Sequence, residues 1–235
     1  MKNYGQFCPL AQAAQLLCER WTLIVVREFI AGSTRFSELQ KGVPTMSPTL
    51  LSTRIKQLLV AGIITKEGRR GSIQYRLTES GKELKPIVEL LGAWGHRWVQ
   101  TDLSDGDLDA GLLMWDMRRS VDASIFSDRK VVVQFDYPDA PRGANLWWLI
   151  VENGDVDLCL NDPGYDVDLV LKSSLSDMTA VWTCQISFND AVKQRKIKIL
   201  GDNKLVKNLQ SWLCSSLLSK LGSLKETPQL DWNIG

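Results

Sequence analysis

The chain is poor in the residues on which much enzyme chemistry rests. It holds one histidine, His96, in 235 residues. That count excludes a histidine-rich metal site and leaves histidine-based acid–base catalysis almost no material. The five cysteines (Cys8, Cys18, Cys159, Cys184 and Cys214) are odd in number, scattered, and never spaced Cys-x-x-Cys. Neither a zinc site nor a disulfide scaffold is expected from them. No glycine-rich phosphate loop is present, which argues against nucleotide chemistry. No apolar run reaches the roughly 18–20 residues needed to cross a bilayer. Met1 to Gly5 leads into glutamine and proline rather than a signal-peptide core. The expectation is a cytoplasmic protein that is not an enzyme, works without cofactor or metal, and has no membrane partner.

What is present is an asymmetry of charge. The whole chain carries a formal net charge of +1. Residues 1–101 contain 14 basic and 7 acidic side chains, while residues 102–235 contain 14 basic and 20 acidic ones. A basic half joined to an acidic half suggests that only the first meets a polyanion. Length and the polar break at Ser104-Asp105-Gly106-Asp107 divide the chain into domains at 1–101 and 102–223, with a tail at 224–235.

Hydrophobic spacing in the first half predicts helices over Cys8–Glu19, Trp21–Ala31 and from Phe36 to about Gly42. Ser47-Pro48 is a helix cap followed by proline at the first helical position. From there to Ala61, Leu50, Leu51, Ile55, Leu58 and Leu59 share one face. Thr49, Ser52, Thr53 and Lys56 occupy the other, with Arg54 and Gln57 on its flank. Taken alone this fits an ordinary amphipathic surface helix as well as a DNA-reading one. The next residues favour DNA. A strand from Ile63, a turn through Gly68, Arg69, Arg70 and Gly71, and an alternating strand over Ser72–Leu77 make a hairpin tipped with arginine. Three helices followed by such a hairpin form a winged helix-turn-helix. Arg35, Ser37, Ser47, Thr49, Ser52, Thr53, Arg54, Lys56, Gln57, Arg69 and Arg70 are the candidate DNA contacts, Arg35 being placed for phosphate before a helix start. Arg20 and Arg27 serve either DNA or ion pairs. A further helix runs from Thr78 to about Val99. Its Leu84, Ile87, Val88, Leu91, Trp94 and Trp98 suit either dimerisation or packing onto the second domain.

Cys8-Pro9, Glu19-Arg20-Trp21-Thr22-Leu23, Arg35-Phe36-Ser37-Glu38-Leu39, Ser47-Pro48-x-Leu50-Leu51-Ser52-x-Arg54 and Tyr75-x-Leu77-Thr78-x-x-Gly81 occur in this order. Over about residues 5–100 the chain resembles the HxlR family of bacterial regulators. The resemblance implies a homodimer on a pseudo-palindromic operator, a recognition helix at 47–61 and a wing around 66–74. It also bears on Cys8, which is either a redox sensor, its thiolate favoured near a helix N-terminus, or an inert packed thiol.

The second half predicts a helix over Asp109–Val121, strands at Lys130–Asp136 and Asn145–Glu152, a turn at Asn153-Gly154, and strands on Val156–Leu160 and Val167–Leu171. Helices near Ser174–Thr183 and Asn189–Gln194, a strand over Arg195–Leu200 and a helix from Gly201-Asp202 complete the order. The turn Asn153-Gly154-x-Val156, the Leu169-to-Leu175 junction and Lys198-Ile199-Leu200-Gly201-Asp202 resemble the sterol carrier protein family over about residues 105–218. That likeness implies an α+β fold, an antiparallel sheet with helices enclosing an apolar cavity. Trp115, Trp147, Trp148, Met178, Trp182 and Trp212 are candidate lining residues or plain core. The chain as a whole thus reads as a ligand- or redox-responsive transcription regulator, with double-stranded DNA, itself and an apolar small molecule as partners. The other reading is a lipid-binding module whose winged helix serves only dimerisation or protein contacts.

Overall fold

In the computed structural model the described residues are 4–69, 72–99, 108–126 and 129–213. Arg70, Cys214 and the tail at 224–235 lie outside them. Two units part between Val88 and Glu89. None of the helices among the described residues is long and apolar enough to cross a membrane.

The first unit is built from α1 (Pro9–Leu17), α2 (Thr22–Ile30), α3 (Phe36–Gly42), α4 (Pro48–Val60), the hairpin β1 (Ile64–Glu67) and β2 (Gln74–Leu77), and α5 (Glu79–Lys82). Its core joins Val25, Val26 and Phe29 of α2 to Leu39 of α3, Leu51, Ile55 and Leu58 of α4, and Ile63 and Ile64. Each such buried aliphatic side chain contributes about 1.5–3 kcal/mol. The helix expected over residues 78–99 is in fact two, α5 and α6 (Leu84–Trp98). Pro86 accounts for the break. It has no N–H to give the Lys82 carbonyl, and its ring clashes with a carbonyl four residues back in a continuous helix.

The second unit carries α7 (Ala110–Ser120), β3 (Val131–Asp136), β4 (Leu146–Glu152), β5 (Asp155–Cys159), β6 (Leu169–Ser173), α8 (Leu175–Trp182), α9 (Phe188–Lys193), β7 (Ile197–Gly201), α10 (Asn203–Lys207) and α11 (Leu209–Trp212). The strands form one sheet in the order β5-β4-β3-β6-β7. Asn153 and Gly154, both at positive φ, close the β4–β5 hairpin. The sheet is not wholly antiparallel, because β3 pairs in parallel with β6, Phe135 facing Leu171. The alternation of a single strand does not state which neighbour it joins or in which direction. The residues after β5 carry the chain past β4 to the far side of β3.

Val131, Val133, Phe135, Leu149, Val151, Leu169 and Leu171 point to one face of the sheet. There they meet Met114 and Met117 of α7, Met178 and Trp182 of α8, and Trp212 of α11. The Gly201-Asp202 signature now has a physical cause. Gly201 sits at φ +137°, and a side chain there would overlap the Asp168 carbonyl. Asp202 caps α10 through the Lys204 N–H at 2.7 Å and takes Arg129 at 3.2 Å, while Arg129 also holds Asp168 at 2.8 Å.

Tyr137, fully buried, gives its hydroxyl proton to the Met114 sulfur at 3.2 Å. Burial, reinforced by the charge of Asp139, pushes its phenol well above the ordinary tyrosine range. A phenol whose folded pKa is raised stabilises the fold fully below its unfolded value, about 10. That contribution is lost as the pH rises beyond it. The second unit is therefore expected to melt in alkali with tyrosinate appearing in the same step. Tyr137→Phe should move that transition to higher pH, and an unshifted transition would show that another group triggers it.

Candidate nucleic-acid interface

The turn between α3 and α4 sets how α4 is presented. Gln40 spans it, its amide nitrogen donating to the carbonyls of Val43 at 3.2 Å and Met46 at 2.8 Å. Met46 and Val43 are buried and anchor the turn from inside. Ser47 caps α4 by accepting from the Leu50 N–H at 3.3 Å, and Pro48 opens the helix. At the start of α3, Glu38 accepts from the backbone N–H groups of Thr34 at 2.8 Å and Arg35 at 3.0 Å. Burial raises the Glu38 carboxyl, but those two donors and the Arg35 charge outweigh it and hold it below the ordinary value. Its stabilisation is thus present above the ordinary glutamate pKa and fades as the pH falls through the lower folded one.

Ser47, Thr49, Thr53 and Lys56 stand exposed along α4, with Ser52 half-buried beside them. Thr53 gives its hydroxyl proton to the Thr49 carbonyl at 3.0 Å, which leaves its oxygen lone pairs and methyl group for a partner. Arg35 and Ser37 are exposed at the head of α3. The hairpin is fixed to the same scaffold, since the Tyr75 N–H donates to the Thr34 carbonyl at 2.7 Å. Arg69 is exposed at its tip, and its carbonyl accepts the Ser72 N–H at 2.9 Å. Arg70, paired with it in the sequence reading, lies outside the described residues.

Two basic residues turn inward. Arg54, expected on the DNA-facing flank, is buried, 8% exposed. Its guanidinium donates to the Arg20 carbonyl at 2.9 Å, to Gln57 Oε1 at 2.7 Å and to Glu19 Oε2 at 3.2 Å. Arg54 and Gln57 therefore form a clamp between α4 and the turn after α1. Arg27 binds the buried Glu28 carboxylate at 2.7 Å and the Gly42 carbonyl at 3.0 Å, so of its two possible roles it takes the ion pair. Arg20 stacks its guanidinium over the Trp21 ring at 5.5 Å. The sequence reading missed Gln40 and Glu19 as determinants of α4. Their partners lie in a turn and 35 residues away, beyond any helical periodicity.

Cys8 is the N-cap residue of α1 and half-buried, whereas Cys18 ends the same helix exposed. The six candidate cavity residues do not converge. Trp147, Met178, Trp182 and Trp212 lie on the helix-covered side of the second sheet. Trp148 belongs to the alternate set of β4 residues and faces the other way. Trp115 lies beneath the guanidinium groups of Arg118 and Arg119. The indoles on the covered side make protein bonds, Trp147 to the Ala144 carbonyl and Trp182 to Asp116, both at 2.8 Å.

Residues 16–103 match the model of the HxlR-like helix-turn-helix family. The Bacillus subtilis protein YvaP, named as an uncharacterised HTH-type transcriptional regulator, is 32% identical over 107 residues, 99% of its own length and 44% of this chain. The chain belongs to the HxlR-like helix-turn-helix family. A second HTH-type regulator, sll1512 of Synechocystis, is 28% identical over 110 residues, covering 82% of its length and 46% of this chain. The reduced form of the transcriptional regulator YodB from B. subtilis is 26% identical, with a TM-score of 0.36 over 40% of this chain and 97% of that one. This HxlR-like chain differs from YvaP in carrying a second unit, of which residues 129–213 match the SCP-2 sterol transfer family. The five-stranded sheet with its covering helices fits that match.

Proposed function

We propose that this HxlR-like protein is a DNA-binding transcription regulator acting as a homodimer on a pseudo-palindromic operator. The observation that carries the reading is the exposed row Thr49, Ser52, Thr53 and Lys56 on α4, held by a capped turn beside a hairpin tipped with Arg69. Short polar side chains on a protruding helix suit base edges in the major groove. Arg69 and Lys56 suit phosphates, and Arg35 and Ser37 the backbone beside them. The module reaches from residue 1 to about 101, since α6 continues unbroken beyond Val88. The second domain, 102–223, is the seat of an apolar small ligand, a reading that its match to the SCP-2 sterol transfer family supports. Cys8 at the head of α1 is a second input, through its thiol redox state.

The test is a salt titration of binding to the region upstream of its own gene. Log affinity should fall linearly with log salt. Arg69→Ala and Lys56→Ala should each reduce that slope by about 2, one phosphate contact being lost from each protomer, and weaken all sequences alike. Thr53→Val should change which sequence is preferred and leave the slope alone. A full salt slope in Arg69→Ala would remove the hairpin from the interface. No salt-dependent binding at all would favour the lipid-binding module whose winged helix serves protein contacts.

A further inference from the structure

Beside the exposed row of α4 runs a groove of about 470 Å³, formed where α1 faces the last two turns of α4. Its apolar wall is Leu16, Val60 and Ala61, and Val60 is 91% exposed. The volume falls within the range typical of small-molecule sites, and such sites join apolar walls to a few directed polar groups. Of the polar residues that line it, Gln12, Gln15, Thr53, Lys56 and Gln57, the last two favour an anion. Lys56 is the one charged residue lining the groove, and it makes no ion pair among the described residues. Gln57 is oriented by the clamp. Its Oε1 accepts from Arg54 at 2.7 Å, so its amide nitrogen is turned away from Arg54 with two protons to give. A cation and a fixed amide donor above an apolar wall suit a carboxylate attached to a flat or short apolar body.

We propose that this groove binds small apolar carboxylates, and that an occupied groove and bound DNA exclude one another. The second half rests on the regulator reading above. Thr53 and Lys56 line the groove and also belong to the row assigned to DNA. An occupant neutralises Lys56 and covers Thr53, so it binds the DNA-free form better, which is the only way a ligand shifts that equilibrium. The groove lies wholly within the first unit and is separate from the sterol-carrier-like core.

The experiment titrates the full chain with 2-naphthoate and, as a neutral isostere, 2-naphthamide. One naphthoate per chain is expected, bound about fivefold more tightly than the amide. Ala61→Trp, at an exposed helix-end position, fills the groove and should weaken naphthoate about tenfold. Lys56→Gln should abolish the preference for the acid over the amide. In a parallel anisotropy measurement with a random-sequence duplex, saturating naphthoate should lower the apparent DNA affinity of the parent about tenfold. It should leave that of Ala61→Trp unchanged, and without naphthoate Ala61→Trp should bind the duplex as the parent does. The proposal is overturned by an absence of saturable binding. It is overturned equally by binding that Ala61→Trp does not weaken, which would place the probe in the second unit. A parent that takes up no probe, together with an Ala61→Trp protein that loses its dimer, would show that a second copy fills the groove. Bound naphthoate without any effect on DNA would refute the exclusion. A chain that ignores DNA even without probe would refute the regulator reading, while the titration still judges the groove.

Discussion

Replacing Arg54 by methionine is expected to destabilise the first unit by about 3 kcal/mol, the scale of a buried charge-assisted cluster losing its centre. Methionine fills much of the arginine stem's space but bonds to none of the three acceptors. The Arg20 carbonyl loses its donor, Gln57 loses its orientation, and Glu19, itself 39% exposed, turns to water. The cost concentrates on a strained place, because Trp21, next in the chain, holds a left-handed backbone at φ +79°. In a unit of this size the melting temperature should fall by roughly 12 °C or more. DNA affinity should fall with it, as α4 loses its tie to the turn after α1. Arg54→Lys should recover only part, since one ammonium cannot span three acceptors as a planar fork does. Calorimetry beside the DNA titration separates this from a direct contact. A methionine variant as stable as the parent but deficient in DNA binding would return Arg54 to the flank where its sequence position put it.

Arg54 also shows where the sequence stopped being legible. The elements of the first unit follow from local signals: Ser47-Pro48 starts α4, apolar spacing turns Leu51, Ile55 and Leu58 inward, and Gly68 turns the hairpin. A helical wheel puts Arg54 between the buried and exposed faces, and nothing local says that Glu19 waits on the inner side. The same limit applied to the second unit. The apolar residues along β3, β4 and β6 gave the strands, but burial does not simply alternate along them, since Val132 and Trp148 are buried on the face away from the helix-covered core. They did not give the parallel pairing of β3 with β6, which depends on where the chain crosses. Nor did they sort the tryptophans. Trp147 and Trp148 are adjacent in sequence and so on opposite faces of the sheet, and only the register tells which of them packs against the helix-covered core. The break at Pro86 was legible in principle, but the apolar repeat on either side of it reads as one continuous helix.

That repeat carries the other large effect. Ile87, Leu91, Trp94 and Trp98 follow one another at spacings of four, three and four along α6, and each is between 48% and 68% exposed. Single exposed apolar residues are ordinary, but a stripe of four marks a contact. About a quarter-turn round the same helix Val88 is buried in the core of the first unit, and Leu84, which heads the stripe, packs against that core, so α6 is anchored at its start while the four exposed residues are left to meet a second copy. Across a two-fold axis the stripe would meet itself, so any change enters the interface twice. Trp94→Glu is therefore expected to cost about 2 kcal/mol on each side, roughly a thousandfold in the dimer dissociation constant. The functional effect follows from geometry. Two recognition helices about 34–36 Å apart read two half-sites of one operator, and a monomer forfeits the gain from binding both at once. Sedimentation equilibrium should show a dimer for the parent and a monomer for Trp94→Glu at micromolar concentration. Operator affinity should fall about a hundredfold, with the far-UV spectrum unchanged. Equal stoichiometry in the two proteins, with stability lost in the variant, would mean that the stripe packs within its own chain, and the homodimer would then need another surface.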